Sequence, residues 1–170
     1  LSHVLDHHRE GVSLAHPRVE VDLPLEHRGQ AAGVVLVDDY AHLPTEVGAV
    51  LATARSGGFA RVVAVFQPHR FSRTEALWSS FGGAFDDADV LYVTDVYPSG
   101  EAPRPGVSGR LVADAVLRDR PGADVRYVAR REDLLDALVG ELRDGDLCLT
   151  MGAGDLTAVP DQLRARLGAS

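Results

Sequence analysis

The chain has 170 residues, 45% of them hydrophobic, a single cysteine and a formal net charge of −8. That length suits one domain with a full core rather than two, and no run of about 18 apolar residues is present to span a bilayer. The acidic balance excludes an extended nucleic-acid face, which needs clustered positive charge.

Residues 1–33 are rich in histidine, carry scattered prolines and show no sustained period. They read as a linker or as the remnant of a preceding domain. His3 and His7 are spaced for one helix face, yet no third ligand accompanies them, so solvated histidines are expected there. The chain does not open with the basic and apolar regions of a secretory leader. Cys148 lies in an apolar run and reads as a buried, inert thiol, in keeping with a reducing, cytoplasmic setting.

The domain proper is expected over 34–170, where short apolar runs alternate with helical patterns. Val34-Val35-Leu36-Val37 reads as a buried strand, followed by a helix on which Val47, Val50, Leu51 and Ala54 share a face. Val62-Val63-Ala64-Val65-Phe66 is the second strand. The next helix is expected to open with a capping box, Ser72-Arg73-Thr74-Glu75, and to present Leu77, Phe81, Ala84 and Phe85. Val90-Leu91-Tyr92-Val93 is the third strand, and Ser108 can cap a helix carrying Leu111, Val112, Ala115 and Val116. Val125-Arg126-Tyr127-Val128 is a shorter fourth strand. A helix with Leu135, Leu138, Val139 and Leu142 follows, ended by Gly145. Leu147-Cys148-Leu149-Thr150 is the last strand, and Pro160 belongs in the first turn of the final helix. Strands that are apolar throughout, alternating with helices, predict a Rossmann-like, doubly wound α/β domain with a mostly parallel sheet covered on both faces.

Ligands of such sheets bind at the carboxyl ends of the strands, and the unusual residues fall there. The first strand runs into Asp38-Asp39-Tyr40-Ala41-His42, the second into Gln67-Pro68-His69-Arg70-Phe71-Ser72-Arg73-Thr74. The third ends in Asp95-Val96-Tyr97-Pro98-Ser99-Gly100-Glu101 and the last in Met151-Gly152-Ala153-Gly154-Asp155. Turn and cap chemistry alone explains Ser72, Glu75 and Pro98. It does not explain His42, His69, Arg70 and Arg73 near one edge. Arg70 and Arg73, three apart at a helix start, suit a carboxylate or a phosphate; the alternative is a solvated pair, or a salt bridge to Asp38 or Glu75. Asp39 can accept hydrogen bonds from ribose hydroxyls and Tyr40 can stack on a base. The Gly-x-Gly at 152–154 lacks the rest of a dinucleotide fingerprint.

Taken in order, these segments resemble the Mur ligase family, in particular its branch that joins L-alanine to UDP-N-acetylmuramate. Residues 38–46 are similar to Asp-Asp-Tyr-Gly/Ala-His-His-Pro-Thr-Glu, and residues 67–74 to Gln-Pro-His-Arg-Tyr/Phe-(Ser/Thr)-Arg-Thr. Residues 95–103 and 151–155 are similar to two further family segments, and the resemblance covers about residues 25 to 167. It implies the carboxy-terminal domain of an ATP-dependent, ADP-forming amide ligase of peptidoglycan synthesis, partnered by amino-terminal and central domains. The central domain would hold ATP and Mg and make an acyl phosphate that the amine of L-alanine attacks. By the same resemblance, Arg70 and Arg73, with His42 and His69 beside them, would hold the amino-acid carboxylate or the product. Asp39 and Tyr40 would contact the nucleotide as the domain closes. No catalytic residue, metal ligand, nucleic acid or membrane contact is assigned to this chain. It has no lysine at all, so it cannot form the Gly-Lys-Ser/Thr of a P-loop, and alone it is expected to be inactive.

Two departures stand out. Leu43 replaces the second histidine of the family's pair, at a position where the ligase adding the third residue reads Asp-Tyr-Ala-His-Thr-Pro. Upstream, Leu25-Glu26-His27-Arg28-Gly29 only dimly echoes an Arg-Arg-Phe-Glu approach. Other readings are the recycling ligase that attaches a tripeptide to the same sugar nucleotide, which resembles Glu-Pro-Arg-Ser where this chain has Gln67-Pro68-His69-Arg70, and a stand-alone binding module without turnover.

Overall fold

The computed structural model describes residues 24–169; His3 and His7 lie outside the described residues. A six-stranded sheet has the order β1-β2-β6-β3-β4-β5, with β1 Glu26–Ala31, β2 Val34–Asp39, β3 Arg61–Phe66, β4 Val90–Val93, β5 Val125–Tyr127 and β6 Asp146–Met151. The last five run parallel, and β1 pairs antiparallel with β2. The helices are α1 Pro44–Arg55, α2 Phe71–Leu77, α3 Arg110–Asp119, α4 Arg131–Glu141 and α5 Val159–Gly168.

Period-2 alternation sends each strand's residues to two separate apolar layers. Val35, Val37, Val62, Ala64, Leu147 and Leu149 pack with Val47, Leu51 and Ala54 of α1 and Val112 and Val116 of α3. Val34, Leu36, Val63, Val65 and Cys148 pack with Leu134 and Leu138 of α4 and Val159 and Leu163 of α5. Burial on both sides is why the strands are apolar throughout. The doubly wound reading holds.

Four local readings differ. The stretch expected to be a linker contributes β1. Its six residues, Glu-His-Arg-Gly-Gln-Ala, carry no hydrophobic alternation, and a register shift falls between His27 and Gly29, where Gly29 has φ +118. The helix predicted from Ser72 begins at Phe71 and stops at Leu77, and the chain continues as a 3-10 turn, Trp78–Phe81. Phe81 and Phe85 still reach the core, both packing on Phe66. The fourth helix ends at Glu141 rather than at Gly145, which instead turns the chain into β6 with φ +90. Gly109, not Ser108, stands at the cap position of α3 and offers no side chain; Ser108 Oγ accepts the Arg110 N–H at 3.2 Å from one residue further back. Pro160 sits in the first turn of α5.

Strand order places the candidate edge. The loop leaving β2 leads to α1 in one layer, while the loop leaving neighbouring β6 leads to α5 in the other. The loop leaving β3 returns to the first layer. Adjacent loops that part to opposite faces leave crevices at the carboxyl ends of β2, β6 and β3.

Candidate functional site

Short loops hold the site. Beyond β3 and β4 the chain stays zipped: His69 bridges to Tyr97 in parallel register, the Tyr97 N–H donates to the Pro68 carbonyl at 2.9 Å, and the Arg70 N–H donates to the Tyr97 carbonyl at 2.8 Å. Four rings then line up across the edge. Tyr40 meets His42 edge-on at 5.4 Å, His42 lies 6.0 Å from His69, and His69 stacks on Tyr97 at 5.7 Å.

Arg73 Nη1 lies 3.3 Å from His69 Nδ1. Burial lowers the pKa of His69, and the positive fields of Arg73 and Arg70 and the neighbouring His42 lower it further. His69 is thus neutral near pH 7. Both guanidinium groups act on one imidazole, so they stand around the same space. Neither forms an ion pair with a carboxylate among the described residues. Asp38 is instead held by Thr150 Oγ1, by Thr157 Oγ1 at 2.8 Å and by Arg28 at 3.6 Å, while Glu75 pairs with Arg104 at 3.6 Å. The two salt bridges weighed against an anion site are therefore not formed.

The amino end of α2 is already served by the chain's own anion. Glu101 accepts the Ser72 N–H at 3.2 Å and the Ser72 Oγ–H at 2.6 Å. The Ser72 hydroxyl and N–H hold this carboxyl below its usual range. Ser72 pairs with Glu101, not with Glu75 in a capping box, because Arg70, not Ser72, precedes the first helical residue. Any incoming anion would rely on Arg70 and Arg73 themselves rather than on the helix dipole.

Asp39 Oδ1 accepts the Ala41 N–H at 2.8 Å, bending the loop after β2. Tyr40 is 68% exposed. It borders a cavity of about 190 Å³ between the β2 and β6 loops, walled by Asp38, Gly152, Gly154 and Thr157. A second cavity, of about 170 Å³, lies on the α4 side of the edge between Gln67, Asp95, Tyr97, Arg131 and Asp155. Its rim is braced by Gln67 Nε2 donating to Asp155 Oδ1 at 2.7 Å and by Arg131 at 3.5 Å from Asp155 Oδ2. Gly154 is required by packing: a Cβ there would stand 2.5 Å from Tyr97 Cγ and 2.7 Å from Gln67 Oε1.

Sequence reasoning had not assigned roles to Tyr97, Glu101, Gln67 or Glu46. Tyr97 and Glu101 sit in the segment 95–103, whose resemblance to the family is the one signal the sequence offers for them. The partners Ser72 and Glu101 are 29 residues apart, and nothing local announces them.

The model of the Mur ligase glutamate ligase domain matches residues 25–154. The chain belongs to the Mur ligase family. It is 52% identical over 136 residues to the UDP-N-acetylmuramate–L-alanine ligase of Myxococcus xanthus, a match covering 80% of this chain and 29% of that protein. Its fold is similar to the UDP-N-acetylmuramate–alanine ligase structure from Thermotoga maritima, with a TM-score of 0.65 and 25% identity over 85% of this chain and 30% of the other. A domain of a Haemophilus ducreyi protein, described as a UDP-N-acetylmuramate:L-alanyl-γ-D-glutamyl-meso-diaminopimelate ligase, superposes with a TM-score of 0.63 at 22% identity, covering 84% of this chain and 98% of that one. The chain thus spans under a third of the length of the Myxococcus ligase, and the family motifs it carries are those of the carboxy-terminal part. No helix among the described residues is long and apolar enough to cross a membrane.

Proposed function

We propose that this domain receives the amino acid in an ATP-dependent, ADP-forming ligase that joins L-alanine to the carboxylate of UDP-N-acetylmuramate in the cytoplasm. The observation that carries the reading is the pair Arg70 and Arg73, uncommitted to any described carboxylate and gathered around a neutral His69. Such guanidinium groups bind a planar carboxylate by charge-assisted hydrogen bonds. Holding alanine by that end presents its amine to the acyl phosphate, and positioning of this kind supplies several of the roughly 7–11 kcal/mol available from fixed orientation. The names of the relatives support alanine as the acceptor, as does Gln67-Pro68-His69-Arg70.

Tyr40, exposed beside the cavity at the β2–β6 crevice, would meet the adenine, and Asp39 the ribose, as the domain closes over the nucleotide and excludes water. Triphosphate and Mg would belong to the central domain. Among the described residues no group of three or more His, Cys, Asp or Glu side chains is placed to hold a metal ion.

The test uses the full-length ligase carrying this domain. Replacing Arg70 and Arg73 together by alanine is expected to raise KM for L-alanine by about a hundredfold or more, from charged hydrogen bonds worth about 1.5–3 kcal/mol each. KM for ATP should stay within about twofold. Unchanged alanine KM would sink the anion role, and preference for a tripeptide in a competition assay would replace alanine as the acceptor.

A further inference from the structure

Two histidines stand side by side at the carboxyl edge, and their hydrogen bonds put them in opposite tautomers. Nδ1 of His42 lies 3.0 Å from the Tyr40 carbonyl oxygen. A carbonyl only accepts, so Nδ1 carries the proton and Nε2 keeps its lone pair. Nδ1 of His69 lies 3.3 Å from Arg73 Nη1. A guanidinium only donates, so this Nδ1 is the bare nitrogen and Nε2 carries the proton.

The surroundings divide the two in the same sense. Glu46 Oε1, one turn into α1, stands 4.0 Å from His42 Nδ1. Positive charge gained by the His42 ring would therefore meet a carboxylate and a carbonyl. His69 is faced by Arg73 and Arg70, which both oppose such charge. The groups around His42 are Tyr40 and Glu46 on its own loop and helix, and His69 on the loop after β3. Its side chain is 16% exposed, sheltered yet open to solvent.

We propose that His42 is a catalytic residue of the ligation, its Nε2 taking a proton from the ammonium group of the incoming amino acid, while His69 serves only to hold Arg73. The proposal rests on the ligase reading above. One N–H bond of the ammonium breaks and its proton passes to Nε2, which frees the nitrogen lone pair. That pair attacks the carbonyl carbon of the acyl phosphate and forms the C–N bond. The C–O bond to phosphate breaks, and the departing phosphate oxygen takes the second amine proton. The imidazolium then returns its proton to water. Glu46, whose Oε1 accepts the Leu43 N–H at 3.2 Å, is a positioning residue that holds the loop bearing His42 and balances the charge.

Two measurements test this. Long-range 1H–15N spectra of the chain itself in alkaline solution should show His42 protonated at Nδ1 and His69 at Nε2; His42 protonated at Nε2 overturns the proposal. In the full-length ligase, His42→Ala and His42→Gln should each lower kcat by about 10²–10³-fold, the range for a lost general base. KM for alanine should change only a few-fold, and added imidazole should restore part of the alanine variant's kcat. Glu46→Gln should cost less, and nothing further in the His42→Ala background. If the unaltered ligase does not use alanine, the ligase reading fails. If it does and both His42 variants keep their kcat, or only KM rises, the proton-acceptor role fails while the ligase reading stands.

Discussion

Arg70 combines strain with charge at one position. Its φ of +69 with ψ 139 is a conformation natural to glycine, and holding another residue there costs on the order of 1–3 kcal/mol. The conformation is enforced from both sides, by the Arg70 N–H donating to Tyr97 and by the Arg70 carbonyl accepting from the Thr74 N–H and Oγ. Arg70→Gly should therefore raise unfolding stability by about 1 kcal/mol in denaturant titrations, while alanine affinity falls; loss of stability would mean the strain is not real. His69 predicts a pH effect. Its folded pKa lies below the usual 6.5, so above that value both states are neutral and nothing changes. As pH falls through 6.5 the unfolded chain binds a proton that the folded one refuses, and stability declines. His69→Gln should flatten that slope in urea titrations across the mildly acidic range. His42, His69, Arg70 and Arg73 were legible because four unusual residues cluster at predicted strand ends. Glu101, Tyr97 and Glu46 were not, since their partners are chosen by loop packing rather than by spacing.

At the scale of elements, the amino edge of the sheet is tied by charge. Asp146, fully buried at the start of β6, takes two hydrogen bonds from Arg61, at 2.9 and 2.7 Å. Arg61 also reaches Glu141 at the end of α4 at 2.8 Å, and Arg126 on β5 reaches the same carboxylate at 3.1 Å. Removing one partner of such a pair strands the other, so Asp146→Ala should destabilise the domain by roughly 3–5 kcal/mol in chemical denaturation. Arg61 holds the Glu141 carboxyl below its ordinary 4.5, and Arg126 adds to this. That contribution is complete above pH 4.5 and is lost as pH falls through the lower folded value. Glu141→Gln should lose stability at neutral pH and show a shallower acid decline. Four strands were legible from runs of Val, Leu and Ala, because burial on both faces favours apolar side chains; β5, a half-buried edge strand, showed only Val125 and Tyr127 around Arg126. The sixth, β1, lies on the antiparallel edge and is polar up to Ala31, so no apolar pattern announces it. The early stop of α2 was likewise hidden, since Phe81 at the end of the 3-10 turn and Phe85 in the turns after it fill the core as they would from a helix.

At the scale of the molecule, Cys148 lies in β6, flanked by β2 and β3 within the sheet, and burial pushes its thiol up to about 12. It should resist thiol reagents in the native chain and react fully in denaturant; native labelling would show that the sheet opens. On the ligase reading, the chain alone should release no phosphate from ATP, because it has no lysine to build a triphosphate loop. The sequence by itself determined the layered α/β fold, through its periodicity, and the family, through the resemblance of its short motifs; it also marked the candidate edge. Only the tertiary structure decided that Glu101 takes the α2 amino end, that Arg70 and Arg73 form no ion pair with a carboxylate among the described residues, and that Nδ1 of His42 faces a carbonyl while Nδ1 of His69 faces a guanidinium. Those outcomes depend on which donor meets which acceptor across loops that strand order, not sequence distance, brings together.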